Sequence, residues 1–447
     1  MDPSRVDGSD RRILFFVNVF VPKDDTRGVH PICKTQFWVN DKSQIAKSTN
    51  QAPIAIGLRD QKSGRLVKTS CIVGYLLLAI GYSICHLSFV IFPMRSHQQP
   101  YEDFERIVEI DFLRATEAAA LNTLSWIGRG EKEKADAAAC DAIRGMFDLM
   151  NICGEVVIGE GIKDNAPGIF KGEHLGTWVP GSHKFDLALD PIDGTTNVSK
   201  GLPGSICCIA AASPEHDIGV SLKDVPTFYM MKLAYGLKVV RYMQRTGIET
   251  VSILHPIEEI IPIVAKALRK RAQDLTIVIL DRPRHQKLVE AVRSTGATLR
   301  MISDGDITAA IAPSIADSGV DLYVGIGGSP EAVLAAAAIR CLGGDIQAMM
   351  WPRDSAEEKA VIEAGYRNEL GKVFYAQDLA QGDNIIFCAT GISDNSLLRG
   401  VRVRGHTAVT HSVLMRARSR TVRMIEAYHD LAHKTILLRS TKRETPI

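Results

Sequence analysis

The sequence predicts an α/β protein whose working residues sit at strand ends. Two observations carry this. Short β-rich runs end repeatedly in polar residues: 185–189 runs into Asp190, 275–280 into Asp281, 299–303 into Asp304, and 320–324 into a glycine-rich segment. Between them lie stretches with apolar residues at helical spacing. Open α/β sheets build their sites in this way, on loops beyond the strand ends.

The chain has 447 residues, enough for more than one domain and a large core. Hydrophobic residues at 46% and charged residues at 23% suit a globular protein. A net charge of +2 provides no field for nucleic acid or a membrane surface, and there is no zinc-finger spacing or basic stripe. The nine cysteines are an odd number and have no Cys-x-x-Cys spacing; Cys207, Cys208 and Cys388 sit in apolar runs. Reduced, buried thiols in a cytosol-like compartment are expected.

Residues 1–100 show no sustained period. Within them, 71–94 lacks Asp, Glu, Lys and Arg. At ~1.5 Å per residue it could span a bilayer as a helix. Basic residues on both sides (Arg65, Lys68 and Arg95) leave its orientation ambiguous, and it starts too late for a signal peptide. Three readings stay open: a membrane anchor, a buried hairpin, or sequence outside the working protein, since the regular pattern begins just after Met94.

A helix is predicted over 104–127, with Glu117 as the one polar break in its apolar stripe and Gly128-Arg129-Gly130 as its stop. A second helix is predicted over 135–150. Glu131 and Glu133 read as its solvated start. Asp136 faces an Ala-rich surface, where a charge needs a partner. Glu160 ends a β-rich run between two glycines, which let a backbone approach a ligand. With Asp136 it reads as a metal carboxylate.

The densest segment is Asp190-Pro191-Ile192-Asp193-Gly194-Thr195-Thr196-Asn197. Its two carboxylates, bent around a proline, can converge on one point, as hard cations such as Mg²⁺ or Mn²⁺ require. The residues after Gly194 can open a helix whose free N–H groups face a phosphate. A strand with a solvated turn is the plainer alternative.

The run 204–212 reads as a buried strand, and Tyr229 as core. Arg282 and Arg284, held by Pro283 at a strand end, suit phosphate recognition; a surface Arg–Asp pair is the alternative. Asp304-Gly305-Asp306 could bind metal or accept hydrogen bonds from sugar hydroxyls. Residues 325–331 read as a Gly-rich loop that cradles phosphate or sugar, without dinucleotide or Walker spacing. An Ala-rich helix follows to Leu342. A charged helix over 353–371, a buried strand at 384–390, strands over 401–424 and a mobile charged tail from His433 complete the expectation.

Together these residues resemble the class II fructose-1,6-bisphosphatases, within the lithium-sensitive sugar-phosphatase superfamily that includes the inositol monophosphatases. The resemblance covers 104–429. It rests on Gly-Arg-Gly-Glu-Lys with Asp136, Val-Ile-Gly-Glu160-Gly, Asp190-Pro-Ile-Asp193-Gly-Thr195, Pro-Arg-His, Asp304-Gly-Asp306 and Gly-Ile-Gly-Gly-Ser-Pro-Glu331, all in family order. It implies a layered α-β-α-β-α sandwich with a metal site at strand ends, and Mg²⁺- or Mn²⁺-dependent hydrolysis of the 1-phosphate of a ketose bisphosphate. The implied metal ligands are Asp136, Glu160, Asp190, Asp193 and Glu331. Thr195 is the implied catalytic hydroxyl, backed by Asp136 or Glu160, with Lys132 nearby. The implied substrate contacts are Asp193, Gly194, Thr195, Tyr229, Arg282, Pro283, Arg284, Asp304, Gly305, Asp306 and Gly328. A divergent extension (1–98), a metal-binding lobe (99–250) and a sugar and distal-phosphate lobe (251–447) are expected. So are a cytoplasmic location and a dimer or tetramer of identical chains.

The sequence also departs from the family pattern. Asp193 stands where many members have Glu, and Ile162 where a second acid is common. Asp281-Arg282-Pro283-Arg284-His285 resembles the photosynthetic branch, which also cleaves sedoheptulose 1,7-bisphosphate. The rivals are an inositol or nucleotide phosphatase and a non-catalytic phosphosugar-binding regulator. The arginine pair argues against a monophosphate substrate. Retention of Thr195 and of all five carboxylates argues against a regulator.

Overall fold

The computed structural model describes residues 13–19, 33–39, 55–59, 66–70, 104–159, 168–213, 220–440 and 443–446. The apolar run 71–94 and Glu160 lie outside the described residues. Among the described residues no helix is long and apolar enough to cross a membrane. The chain divides into two compact units, Met1–Glu102 and Asp103–Ile447. The first holds an antiparallel sheet of β1 (Ile13–Val19), β2 (Cys33–Val39), β3 (Ala55–Arg59) and β4 (Leu66–Ser70), in that order. Alternation there is too weak in the sequence to announce four strands.

The second unit opens with α1 (Phe104–Thr123) and α2 (Lys132–Phe147). Next come β5 (Ile152–Ile158), β6 (His174–Leu175), β7 (His183–Asp193), α3 (Thr195–Lys200) and β8 (Ile206–Ala212). The chain then crosses to a second sheet through β9 (Tyr229–Tyr235), α4 (Leu237–Thr246), α5 (Ile257–Leu268) and β10 (Thr276–Leu280). It continues with α6 (Gln286–Ser294), β11 (Thr298–Ile302), α7 (Asp306–Ile311), β12 (Leu322–Gly328) and α8 (Ser329–Leu342). β13 (Asp345–Met350), α9 (Ser355–Val361), β14 (Phe374–Tyr375) and α10 (Ala376–Leu379) follow. It returns to the first sheet as β15 (Ile385–Gly391), β16 (Arg402–Arg404), β17 (Thr407–Arg416) and β18 (Thr421–Asp430). The larger sheet runs β16-β17-β15-β8-β7-β5-β6, with β18 also on β17; the smaller runs β11-β10-β12-β9-β13-β14. Because the chain crosses over and comes back, neither sheet coincides with 99–250 or 251–447.

Strand alternation builds the layers. Phe185, Leu187 and Leu189 of β7 pack with Phe112 and Ile143 of α1 and α2. Ala188, on the opposite face, joins α8 and the inner face of the smaller sheet, including Met230, Ala234 and Tyr323. Leu233, Tyr235, Ile277 and Ile279 point outward onto Val239, Ile260 and Val292 of α4, α5 and α6. The α-β-α-β-α sandwich is therefore present. α8 is its central helix and is apolar on every side (Ala332 to Ile339 are all buried), as a helix between two sheets must be. Cys140, Cys153, Cys207, Cys208, Cys341 and Cys388 are free thiols, and all but Cys153 are buried.

Two expectations change. Gly325 to Gly328 are not a loop: they extend β12 and pair with Lys232 to Tyr229 of β9. Strand pairing overrides the usual reading of glycine as a turn former. The tail from His433 is packed, not mobile. β19 (Thr435–Leu438) pairs with β20 (Arg443–Pro446), and Ile436 is buried. Ser440 N donates to Asp141 Oδ1 at 2.8 Å and Arg439 Nε to Asp148 Oδ2 at 3.1 Å. The short apolar run 436–438 anchors the charges that suggested mobility.

Candidate active site

β7 runs through Asp190 to Asp193, with a register shift against β8 between them where Pro191 has no N–H to donate. Both carboxylates are buried. Gly194 then turns left-handed, at φ 94°, and opens α3. An added Cβ there would lie 2.7 Å from Gly204 O, so only glycine fits. Thr195 is the first helical residue, and the cap is Gly194 without a side-chain bond. Among the described residues the Thr195 hydroxyl has no hydrogen-bond partner. Lys132, in the first turn of α2, donates from Nζ to Thr196 Oγ1 at 2.9 Å.

The Asp304–Asp306 segment docks on this junction. Gly305 is also left-handed, at φ 91°, and its Cβ would lie 2.5 Å from the same Gly204 O. Asp304 Oδ2 accepts from Thr196 N at 3.1 Å, and Ser303 Oγ donates to Asn197 Oδ1 at 2.7 Å. Asp193 Oδ2 accepts from Ile307 N at 3.1 Å. Asp306 turns inward: its two oxygens accept from Lys232 Nζ and Tyr323 Oη, and Lys232 is fully buried. The glycines of β12 make room for carboxylates. A Cβ on Gly327 would lie 1.9 Å from Asp306 Oδ2, and one on Gly328 1.9 Å from Glu331 Oε2.

Charge is crowded here. Burial, then Asp306, Glu331 and Asp304, push the Asp193 carboxyl well up. Burial raises Glu331, opposed first by Lys232. Burial also raises Asp136, opposed by the Cys140 thiol. Among the described residues, Asp136 Oδ1 and Glu331 Oε2 are buried oxygens without a hydrogen-bond partner. Such atoms cost about 1–3 kcal/mol each when left unsatisfied. Oxygen donors with unmet acceptor capacity and mutual repulsion fit a hard divalent cation. They fall into two groups. Asp136 and Asp190 both act on the Cys207 thiol, which burial raises further still, while Asp193 and Glu331 act with Asp306. Among the described residues no three ligating side chains already converge on one point.

The two arginines diverge. Arg282 Nη1 donates to Ser303 O at 2.6 Å, and Nη2 lies 3.7 Å from Asp304 Oδ1. Arg284, across the Pro283 turn, donates from Nη2 to Ile326 O at 2.7 Å and stacks 4.5 Å from the Tyr229 ring centroid. Tyr229 is half-buried at the start of β9, not a core residue. Sequence reasoning missed His285, Lys232 and Tyr323. Buried His285 has Nδ1 2.7 Å from Leu280 O, and Nε2 accepts from Ile326 N at 2.7 Å. A carbonyl only accepts and an amide N–H only donates, so the ring is neutral with its proton on Nδ1. Burial lowers its pKa accordingly. Lys232 carried a readable signal, a lone charge in the apolar run 230–235.

A five-layered α/β sandwich with carboxylates and arginines gathered at strand ends is the arrangement expected of a sugar phosphatase. Residues 106–429 match the family described as "Bacterial fructose-1,6-bisphosphatase, glpX-encoded", and the chain belongs to that family. It is 38% identical over 337 residues to "Fructose-1,6-bisphosphatase class 2" of Haemophilus influenzae, covering 73% of this chain and 97% of that protein. It is likewise 38% identical over 341 residues to "Fructose-1,6-bisphosphatase 1 class 2" of Escherichia coli K12, covering 74% and 97%.

Proposed function

We propose that this chain hydrolyses the 1-phosphate of fructose 1,6-bisphosphate, giving the sugar 6-phosphate and inorganic phosphate. Family membership supports the substrate. One observation carries the site: the β7–α3 junction, with Asp190, Asp193 and Thr195, meets the Asp304–Asp306 turn around a single carbonyl, Gly204 O.

Mg²⁺ or Mn²⁺ is the proposed cofactor; bound to Asp136, Glu160, Asp190, Asp193 and Glu331, it would neutralise phosphate charge and activate water. The Thr195 hydroxyl, without a hydrogen-bond partner among the described residues, orients the attacking water and helps remove its proton, backed by Asp136 or Glu160. The N–H groups of Gly194 to Thr196 face the transferring phosphate, with Lys132 adding positive charge. A phosphate reaching Thr196 N displaces the Asp304 carboxylate from it. Asp304, Gly305 and Gly328 line the sugar. Asp306, its oxygens held by Lys232 and Tyr323, supports that wall from behind. Arg284 and Tyr229 receive the distal phosphate, and binding there orients the reacting end.

The resemblance of 281–285 to the photosynthetic branch supports sedoheptulose 1,7-bisphosphate as a second substrate, and hence a role in gluconeogenesis or the reductive pentose phosphate cycle. A homo-oligomer and a cytoplasmic location, in keeping with the free thiols, complete the proposal. Phosphate release by the purified chain tests it, with both bisphosphates and inositol 1-phosphate compared in Mg²⁺ and in Mn²⁺. Turnover of a bisphosphate but not of the inositol ester is expected. The reverse preference would move the chain to the inositol phosphatases, and no turnover despite bound metal would make it a regulator.

A further inference from the structure

We infer that Arg353 is a specificity-determining residue: with Arg284, it binds the distal anionic group of the substrate. The inference rests on the bisphosphatase reading above. After β13 the chain is tied to the start of β9, where Trp351 N donates to Tyr229 O at 3.0 Å. Three aromatic rings gather there. Phe228 and Tyr229 meet edge to face at 4.8 Å, and Trp351 lies 6.2 Å from Tyr229. Two guanidinium groups use these rings as platforms: Arg284 stacks on Tyr229 at 4.5 Å and Arg353 on Phe228 at 4.4 Å.

Arg353 is anchored along one edge only. Its Nε and its backbone N donate to Glu357 Oε2 at 2.9 and 2.8 Å, and Glu357 Oε1 accepts from Phe228 N at 2.6 Å. Among the described residues its terminal Nη groups have no partner, and the side chain is 51% exposed. A guanidinium fixed at Nε, flattened on a ring and open at both terminal nitrogens is preorganised for a phosphate. The plainer role, an i,i+4 pair steadying the start of α9, uses Nε alone. It does not account for Phe228, held 54% exposed beneath the guanidinium. Arg282 turns away from these rings, to Ser303 O and Asp304.

The test uses the full chain with Arg353→Gln, Arg353→Lys and Arg284→Ala. KM for fructose 1,6-bisphosphate is compared with the inhibition constant of fructose 1-phosphate, which lacks the distal phosphate. Arg353→Gln is expected to raise the bisphosphate KM by about tenfold or more, with fructose 1-phosphate binding unchanged and Arg353→Lys intermediate. An unchanged bisphosphate KM, or equal losses on both ligands, would reduce Arg353 to a stabiliser of α9. If Arg284→Ala is selective and Arg353→Gln is not, only the Arg353 inference fails. If Arg284→Ala also treats both ligands alike, the distal-phosphate site itself is wrong.

Discussion

At Thr195, one hydroxyl separates chemistry from architecture. Gly194, not Thr195, caps α3, so replacing the hydroxyl removes no helix-capping bond. Thr195→Val keeps the β-branched shape. It is expected to lower kcat by ~10²–10⁴ while KM and melting temperature hold, the usual size of positioned acid–base help. A kcat within a few-fold of wild type would remove Thr195 from the mechanism. At this scale the sequence was legible wherever a motif is local: Asp190, Asp193 and Thr195 lie on one strand–helix junction. It was silent where a partner is distant. Lys232 meets Asp306 across 74 positions and His285 meets Ile326 across 41, pairings that no local spacing encodes.

At the scale of elements, two short helices, α3 and α7, each start from a left-handed glycine pressed against Gly204 O. Gly305→Ala adds a Cβ where backbone already stands and forces an L residue into the left-handed region. A loss of about 1–3 kcal/mol is expected in denaturant titrations, with lower activity. Stability unchanged from wild type would mean the turn can relax. β12 shows why some elements escaped sequence reading: Gly325 to Gly328 look like a loop, and only β9 beside them makes them a strand. Where α1 meets β17 and β18, His429 is buried, bonds Thr410 at 2.8 Å, and has its pKa lowered to about 4 by burial and Lys434. Below pH 6.5 the unfolded chain takes up a proton there that the folded chain refuses. This contribution is therefore complete above pH 6.5 and falls as pH drops towards 4, by up to about 3 kcal/mol. Glu117, raised by burial, titrates in the opposite sense, so the comparison must be differential. His429→Gln should flatten the melting-temperature profile between pH 6.5 and 4; an identical slope would exclude His429 as its source.

At the scale of the molecule, an α/β protein with its polar residues at strand ends was legible in the chain itself, whereas the α-β-α-β-α order was expected only through the family resemblance. In the fold it is built by sheets covered on both faces, with α8 buried between them. The sheet order was not legible, because the return of 385–430 to the first sheet is a long-range event. That topology sets the β7–α3 junction against the Asp304–Asp306 turn, and the Arg284–Tyr229 stack beside Ile326 of β12. The central claim is that a bisphosphate binds with its 1-phosphate at the junction and its distal phosphate at the stack. The most direct measurement is phosphorus NMR of the sugar product released from fructose 1,6-bisphosphate with Mg²⁺ or Mn²⁺ present. Fructose 6-phosphate as the sole product ester is the predicted result. Accumulation of fructose 1-phosphate would mean that the substrate binds the other way round, and would contradict the account.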